Sequence, residues 1–363
     1  MRKIHLILCL ILVVSLLAGC AGTPVVYYTN CTCPAADQAT VQTPVTQETE
    51  PEAPAVESPL KTGLCISTSV KKSASAAADA EGKADYDVTM VAVTVDDNGV
   101  IRDCIIDGIA TSVKFDADGN ITTDLTVAPQ TKNELGDKYG MVAYGKAIAE
   151  WDAQAAALAD FAVGKTVEEL KSGAVSETGY APEGSDLASS ATIYLGGYVA
   201  AIEKAVANAK HLGAQSGDTL KTAVNTKIGS SKPATAEGAG NAQLDVDMVV
   251  LTMKGDTITS CVLDSVQAKV AFDAAGAITT DVTAAVKTKN ELGENYGMVA
   301  WGGAIAEWDA QAAAFAAYVT GKTPAEVSGI AVNEGTKATD ADLSAGCTIA
   351  IGGFQNLIAK AVQ

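Results

Sequence analysis

Two threonines in a repeated setting are the residues of this 363-residue chain best placed for chemistry. Asp186-Leu187-Ala188-Ser189-Ser190-Ala191-Thr192 returns as Asp342-Leu343-Ser344-Ala345-Gly346-Cys347-Thr348. Both copies run on through Gly196-Gly197 or Gly352-Gly353 into an Ala-rich amphipathic segment. An acid, small residues and a hydroxyl ahead of a helix read first as a turn and cap. The same text suits a phosphate. Small residues leave the hydroxyl open, and a Gly-Gly helix start offers N–H groups and a positive dipole end. Asp186 is expected to cap the turn, since a carboxylate would repel an anion.

Other motifs are weaker. Tyr139-Gly140-Met141 and Tyr296-Gly297-Met298 precede Tyr144 and Trp301, and glycine lets a flat ligand approach backbone closely. Core packing and a cofactor-facing role both remain open for these residues, whereas Trp151 and Trp308 read as core. Asp116-Ala117-Asp118-Gly119-Asn120 hints at a calcium loop but lacks its ligand series. Its second copy, Asp273-Ala274-Ala275-Gly276-Ala277, keeps only the first acid, so a hairpin turn is expected. Gly164-Lys165-Thr166 and Gly321-Lys322-Thr323 have Ala159 and Ala316 where a P-loop needs glycine. Thr166 with Glu169, and Thr323 with Glu326 behind Pro324, read as capping boxes at helix corners.

The elements that must position these residues come twice. Thr131-Lys132-Asn133-Glu134-Leu135-Gly136 recurs at Thr288 to Gly293, Cys104 at Cys261 and Trp151 at Trp308. Whole domains of about 60–210 and 218–363, joined by a linker at 211–217, are expected. Each opens with β-type alternation: Val88–Val95, a turn at Asp96-Asp97-Asn98-Gly99, Val100–Ile106, then short strands at Ser112–Phe115 and Ile121–Val127. The second copy predicts Val246–Met253, Thr257–Leu263, Ala268–Phe272 and Ala277–Thr283. Helices follow, with Trp151, Ala155, Leu158, Ala159 and Ala162 on one face, matched by Trp308, Ala312, Phe315, Ala316 and Val319. Strands first and helices after them predict an α+β fold, each domain an antiparallel sheet with helices packed on it.

The N-terminus is read apart from the fold. Arg2 and Lys3 precede an apolar run from Ile4 to Ala18, too short for a stable span. It closes in Leu17-Ala18-Gly19-Cys20, which resembles a bacterial lipoprotein cleavage box; the leader region is expected at 1–20, and the resemblance implies lipid on Cys20 and cleavage of the chain just before it. Residues 21–59 are rich in Pro, Thr, Gln and Glu and are expected to form a disordered tether, with an r.m.s. span of about 35 Å. Acidic residues outnumber basic ones 43 to 25, for a net charge of −18. Nucleic acid is therefore not an expected partner. The two histidines, His5 and His211, build no haem or zinc site. Cys104 and Cys261 read as buried thiols, and Cys31 and Cys33 fall in the tether. No acid–base pair, nucleophile–His pair or metal cluster stands out, so no catalytic residue is assigned.

The closing motif resembles the attachment signature of the FMN-binding domain family, which includes a flavin-bearing component of the sodium-pumping quinone reductase and exported flavin lipoproteins of Gram-positive bacteria. The resemblance covers about residues 60–363, and the Lys-Asn-Glu-Leu-Gly-x-x-Tyr-Gly-Met block, lipobox and doubling bring it nearest to exported electron-transfer lipoproteins. It implies FMN esterified through its phosphate to Thr192 and Thr348 by a flavin transferase that takes FAD as donor. Asp186, Ser189, Ser190, Ala191, Asp342, Gly346 and Cys347 would form the attachment motif. Tyr139, Met141, Tyr296 and Met298 would face the cofactor. The second copy departs from the pattern at Ala345 and Cys347. The implied function is a membrane-tethered, extracytoplasmic electron relay from quinol-linked donors to acceptors outside the cell. The competing class is a non-redox binding or adhesion lipoprotein whose threonines are only caps. A solute-binding lipoprotein is a third class, for which the sequence gives no sign of a shared interdomain cleft.

Overall fold

The computed structural model describes residues 58–363. The expected leader, nearly all of the expected tether, and Cys9, Cys20, Cys31 and Cys33 lie outside the described residues. In the first repeat, β1 (Pro59–Ser69), β2 (Gly82–Val95), β3 (Ile101–Phe115) and β4 (Lys210–Gln215) form one sheet in the order β3-β2-β1-β4. In the second, β5 (Thr219–Lys227), β6 (Gly240–Lys254) and β7 (Thr257–Phe272) form a sheet in sequence order. All pairings are antiparallel. The fold is α+β, as expected.

The helices of the first half are α1 (Lys132–Leu135), α2 (Met141–Gly145), α3 (Trp151–Ala162), α4 (Val167–Ala174), α5 (Asp186–Ser190) and α6 (Gly196–Asn208). Those of the second are α7 (Lys289–Leu292), α8 (Met298–Gly302), α9 (Trp308–Val319), α10 (Pro324–Ser328), α11 (Ala341–Gly346) and α12 (Gly352–Ala361). None of the described helices is long and apolar enough to cross a membrane.

Strand alternation explains the layering. Ala84, Tyr86, Val88, Met90 and Ala92 of β2 face Ala242, Leu244, Val246, Met248 and Val250 of β6 in one core shared by the two sheets. Val91, Val93 and Val95 point the other way, against α3 and α6. Val249, Leu251 and Met253 likewise meet α9 and α12. The order is helices, sheet, sheet, helices. Phe115 and Phe272 stack at the centre, with ring centroids 4.0 Å apart. Gly82 and Gly240 leave room for those rings, which a Cβ at either position would overlap. The repeats therefore share a core within one compact unit, Ala55–Gln363, rather than standing as beads on a string. Two reciprocal ion pairs cross the seam: Lys204 of α6 meets Glu291 of α7, and Lys360 of α12 meets Glu134 just inside α1.

The structure corrects several element boundaries. The stretch 211–217 is not a linker. Lys210–Gln215 is a strand, because the open edge of β1 offers unpaired backbone, with Lys61 opposite His211. The short strands read on either side of Asp107-Gly108 are one strand, β3, and β7 is likewise continuous. Ile121–Val127 and Ala277–Thr283 are not strands. Ile121 and Ile278 each make one bridge, after which Asp124 and Asp281 turn the chain by accepting from Thr126 and Thr283. The Asp116 segment is the expected turn, Asp116 accepting from the amides of Asp118 and Asn120. Both capping boxes form, with Pro324 at the first helical position.

Candidate functional site

Each threonine sits in the short link between a two-turn or shorter helix and the helix that closes its half. Ser185, not Asp186, caps α5, its side chain accepting from the Ala188 amide. Asp186 instead occupies the first turn, where the helix dipole favours a carboxylate. In the second copy Asp340 caps α11, and Asp342 again lies in the first turn. The hydroxyls of Ser189 and Ser344 turn back onto carbonyls of their own helices, those of Asp186 and Ala341. Ala191 and Cys347 occupy the same buried, extended position after the helix. Cys347 is thus a small apolar filler, and burial pushes its thiol pKa up. Gly346 packs against Ala314 where a side chain would be crowded.

Beyond that position the chain presents Thr192, exposed, and Thr348, partly so. One buried side chain fixes each. Gln154 of α3 accepts through its Oε1 from the Thr192 amide (2.8 Å), the Thr192 hydroxyl (3.2 Å) and the Ile193 amide (3.2 Å). Its Nε2 donates to the Ala149 carbonyl at 2.8 Å. Gln311 of α9 repeats this with Thr348 and Ala306. The next helices, α6 and α12, start at Gly196 and Gly352 with no side-chain cap; the Leu195 and Gly196 amides donate to the Gly179 carbonyl, and the Ile351 amide to that of Thr336.

The aromatic wall is built on the same helix. Glu150, just before α3, accepts from the amides of Met141 (2.8 Å) and Val142 (2.9 Å), and Glu307 does so for Met298 and Val299. These carboxylates hold the Tyr-Gly-Met segments against α3 and α9. Gly140 and Gly297, both at φ 81°, make the left-handed turn that begins α2 and α8. Tyr139, Met141, Tyr296 and Met298 pack on the edge of the helix-side cores, partly buried. Trp151 and Trp308 are core residues, 3% and 6% exposed, and Trp151 donates through Nε1 to the Tyr198 hydroxyl at 3.0 Å. Tyr144 and Trp301 stand out at 90% and 85% exposed, flanked by exposed Val142 and Ile148, or Val299 and Ile305. Such aromatic exposure marks a surface suited to a flat apolar ligand in each half.

Lys132 and Lys289 complete the wall. The Lys132 ammonium lies 4.7 Å from the Trp151 ring centroid and 5.4 Å from that of Tyr139. Lys289 makes the same contacts with Trp308 and Tyr296. Lys132 is 6% exposed, and among the described residues no oxygen accepts a hydrogen bond from either ammonium. Burial pushes both lysine pKa values down, opposed by the more distant Asp87 and Asp107, or Asp245, Asp247 and Asp264. A desolvated cation–π contact contributes ~2 kcal/mol. Both ammonium nitrogens still reach solvent, and Lys289 as a whole is only partly buried.

A cavity of about 710 Å³ opens elsewhere, along the seam between the halves. It touches neither threonine, and its lining includes Cys65, Cys261, Lys204, Asp264 and Glu291. Lys204 pairs there with Glu291 and Asp264 accepts from the Asn290 amide, while Lys210 and Asp309 also line the cavity.

The attachment segments and the Tyr-Gly-Met segments are both tied to α3 in the first half and α9 in the second, through Gln154 and Glu150 or Gln311 and Glu307. The sequence reading missed Gln154, Gln311, Glu150 and Glu307 and left both lysines unassigned. The signal was present, because Glu-Trp-Asp-Ala-Gln at 150–154 recurs intact at 307–311, with a glutamine on an otherwise apolar helix. Comparison of the chain with protein-family models, curated proteins and solved structures gives no match.

Proposed function

We propose that the protein is a flavin-carrying electron relay, with FMN esterified to Thr192 and Thr348. The observation that carries this reading is the paired placement of the two hydroxyls. Each threonine is exposed or partly so, set four residues before a Gly-Gly helix start, and bonded through its hydroxyl to a buried glutamine on a helix whose preceding glutamate holds the Tyr144 or Trp301 segment.

The residues present fit such a group. The positive dipole ends of α6 and α12 suit a phosphodiester. Tyr144 and Trp301 offer faces for the ring system, and the ammoniums of Lys132 and Lys289, held over aromatic rings, suit an electron-rich edge. When bound, FMN supplies the redox chemistry; the protein holds it, orients it and sets its electrostatics. Gln154 and Gln311 fix the threonine hydroxyl through the hydrogen bond it donates to their Oε1. Glu150 and Glu307 fix the wall. In attachment, the threonine oxygen takes the FMN phosphate of FAD, the bond to AMP breaks, and AMP leaves with the hydroxyl proton's equivalent. The partners are a flavin transferase, membrane quinol-linked donors and extracellular acceptors, reached from the membrane through lipid on Cys20.

The test is co-expression with a flavin transferase followed by intact mass and visible absorbance. Two adducts are expected, and Thr192→Ala and Thr348→Ala should each remove one. Unmodified protein under conditions that modify a known acceptor overturns the proposal.

A further inference from the structure

We infer that Lys132 and Lys289 set the reduction potential of the two flavins by facing the negative charge that reduction places on the ring. The inference rests on the flavin reading. Most described lysines either pair with a carboxylate, as Lys61, Lys72, Lys83, Lys114, Lys171, Lys204 and Lys360 do, or stand exposed at the surface. Lys132 and Lys289 do not. Each instead projects from the first turn of a short helix onto two aromatic rings, its stem packed inward. The Lys132 stem crosses Gly108, where a Cβ would lie 3.4 Å from Cδ. A side chain so held is aimed rather than free, and the same aim occurs in both halves.

The electron count says what this charge would meet. An oxidised isoalloxazine that takes two electrons and two protons gains no charge; with two electrons and one proton it gains one negative charge. The electrons come from a quinol-class donor, which is oxidised to the quinone and releases two protons, one taken up by the ring and one passing to solvent. A fixed ammonium at the ring edge stabilises the charged product over the neutral oxidised form, and so raises the potential. Asp87 and Asp107 around the first site, and Asp245, Asp247 and Asp264 around the second, act against this at longer range. A cation held by rings rather than by a carboxylate keeps its field for the ligand.

The experiment uses full-length protein carrying Thr348→Ala, so that one flavin reports, made with an active flavin transferase. Intact mass is read first. Loss of the adduct from this parent overturns the flavin reading and the inference together. The equilibrium with a redox dye of known potential is read second, using dithionite as reductant. Lys132→Met is expected to shift that equilibrium at least tenfold toward oxidised flavin, about 30 mV for a two-electron couple. Lys132→Arg should stay close to the parent. A fully loaded Lys132→Met protein with a shift below threefold overturns the inference alone. Lys289→Met in a Thr192→Ala background gives the same reading at the second site, and decides the matter if Lys132→Met does not fold or load.

Discussion

Replacing Gln154 by leucine, which is close to it in volume, would release the segment that carries Thr192. The glutamine accepts three hydrogen bonds and donates one. Neutral hydrogen bonds contribute ~0.5–1.5 kcal/mol each, which brackets the loss between about 2 and 6. Thr192 is exposed, so water reaches its amide and hydroxyl once the glutamine is gone. The Ile193 amide and the Ala149 carbonyl are less accessible and carry most of the penalty. We expect Gln154→Leu to destabilise the protein by about 2–3 kcal/mol. In urea this appears as a lower midpoint at unchanged slope. The local consequence is more specific. Modification at Thr192 should fall severalfold while Thr348, held by Gln311, is unaffected. A loss below about 0.5 kcal/mol, the level of an ordinary surface change, with full modification at Thr192, would refute the anchoring role of Gln154.

Three further outcomes follow from the packing and charges. Gly82→Ala, or Gly240→Ala, places a methyl in the Phe115 or Phe272 ring and should cost ~1–3 kcal/mol in thermal or urea unfolding; an unchanged midpoint would contradict the central stack. Burial raises the Asp264 pKa to about 6 from 3.8, so the native state holds its proton longer than the unfolded state. This residue's contribution therefore falls as pH rises from about 4 to 6, by ~3 kcal/mol. Asp264→Asn, which keeps the oxygen that accepts from Ser265 and Asn290, should gain stability over wild type across that window; a gain that is independent of pH would contradict the assignment. Lys204→Met, by contrast, removes a partly exposed ion pair to Glu291 and should cost less than about 1 kcal/mol, because the shared apolar core holds the halves together; a loss of several would show the pair dominating.

The strands were legible where alternation was strong, as in Val88–Val95 and Val246–Met253. β1 and β5 were missed, since a Gly, a Cys and several threonines dilute their apolar pattern. The shared core could be suspected only from the near-continuous apolar text of β2 and β6, which marks strands buried on both faces. β4 was unreadable because Lys210-His211-Leu212-Gly213 has little strand propensity; its pairing comes from the free edge of β1. At the site, the threonines, the Tyr-Gly-Met segments and the Gly-Gly helix starts were visible as repeated text. Ser185 was missed as the cap because Asp186 beside it is equally suited by type, and backbone geometry alone chose between them. The glutamines and glutamates recur as text, but what they hold could not be read from it. Their partners lie 38 and 9 residues away, and such contacts leave no local pattern.

Intact mass of the mature protein, produced with an active flavin transferase, tests the central claim most directly. The account predicts a gain of two FMN less two waters in wild type, one FMN less one water in each of Thr192→Ala and Thr348→Ala, and none in the double variant. An unmodified wild-type chain, or adducts that persist in the double variant, would contradict it.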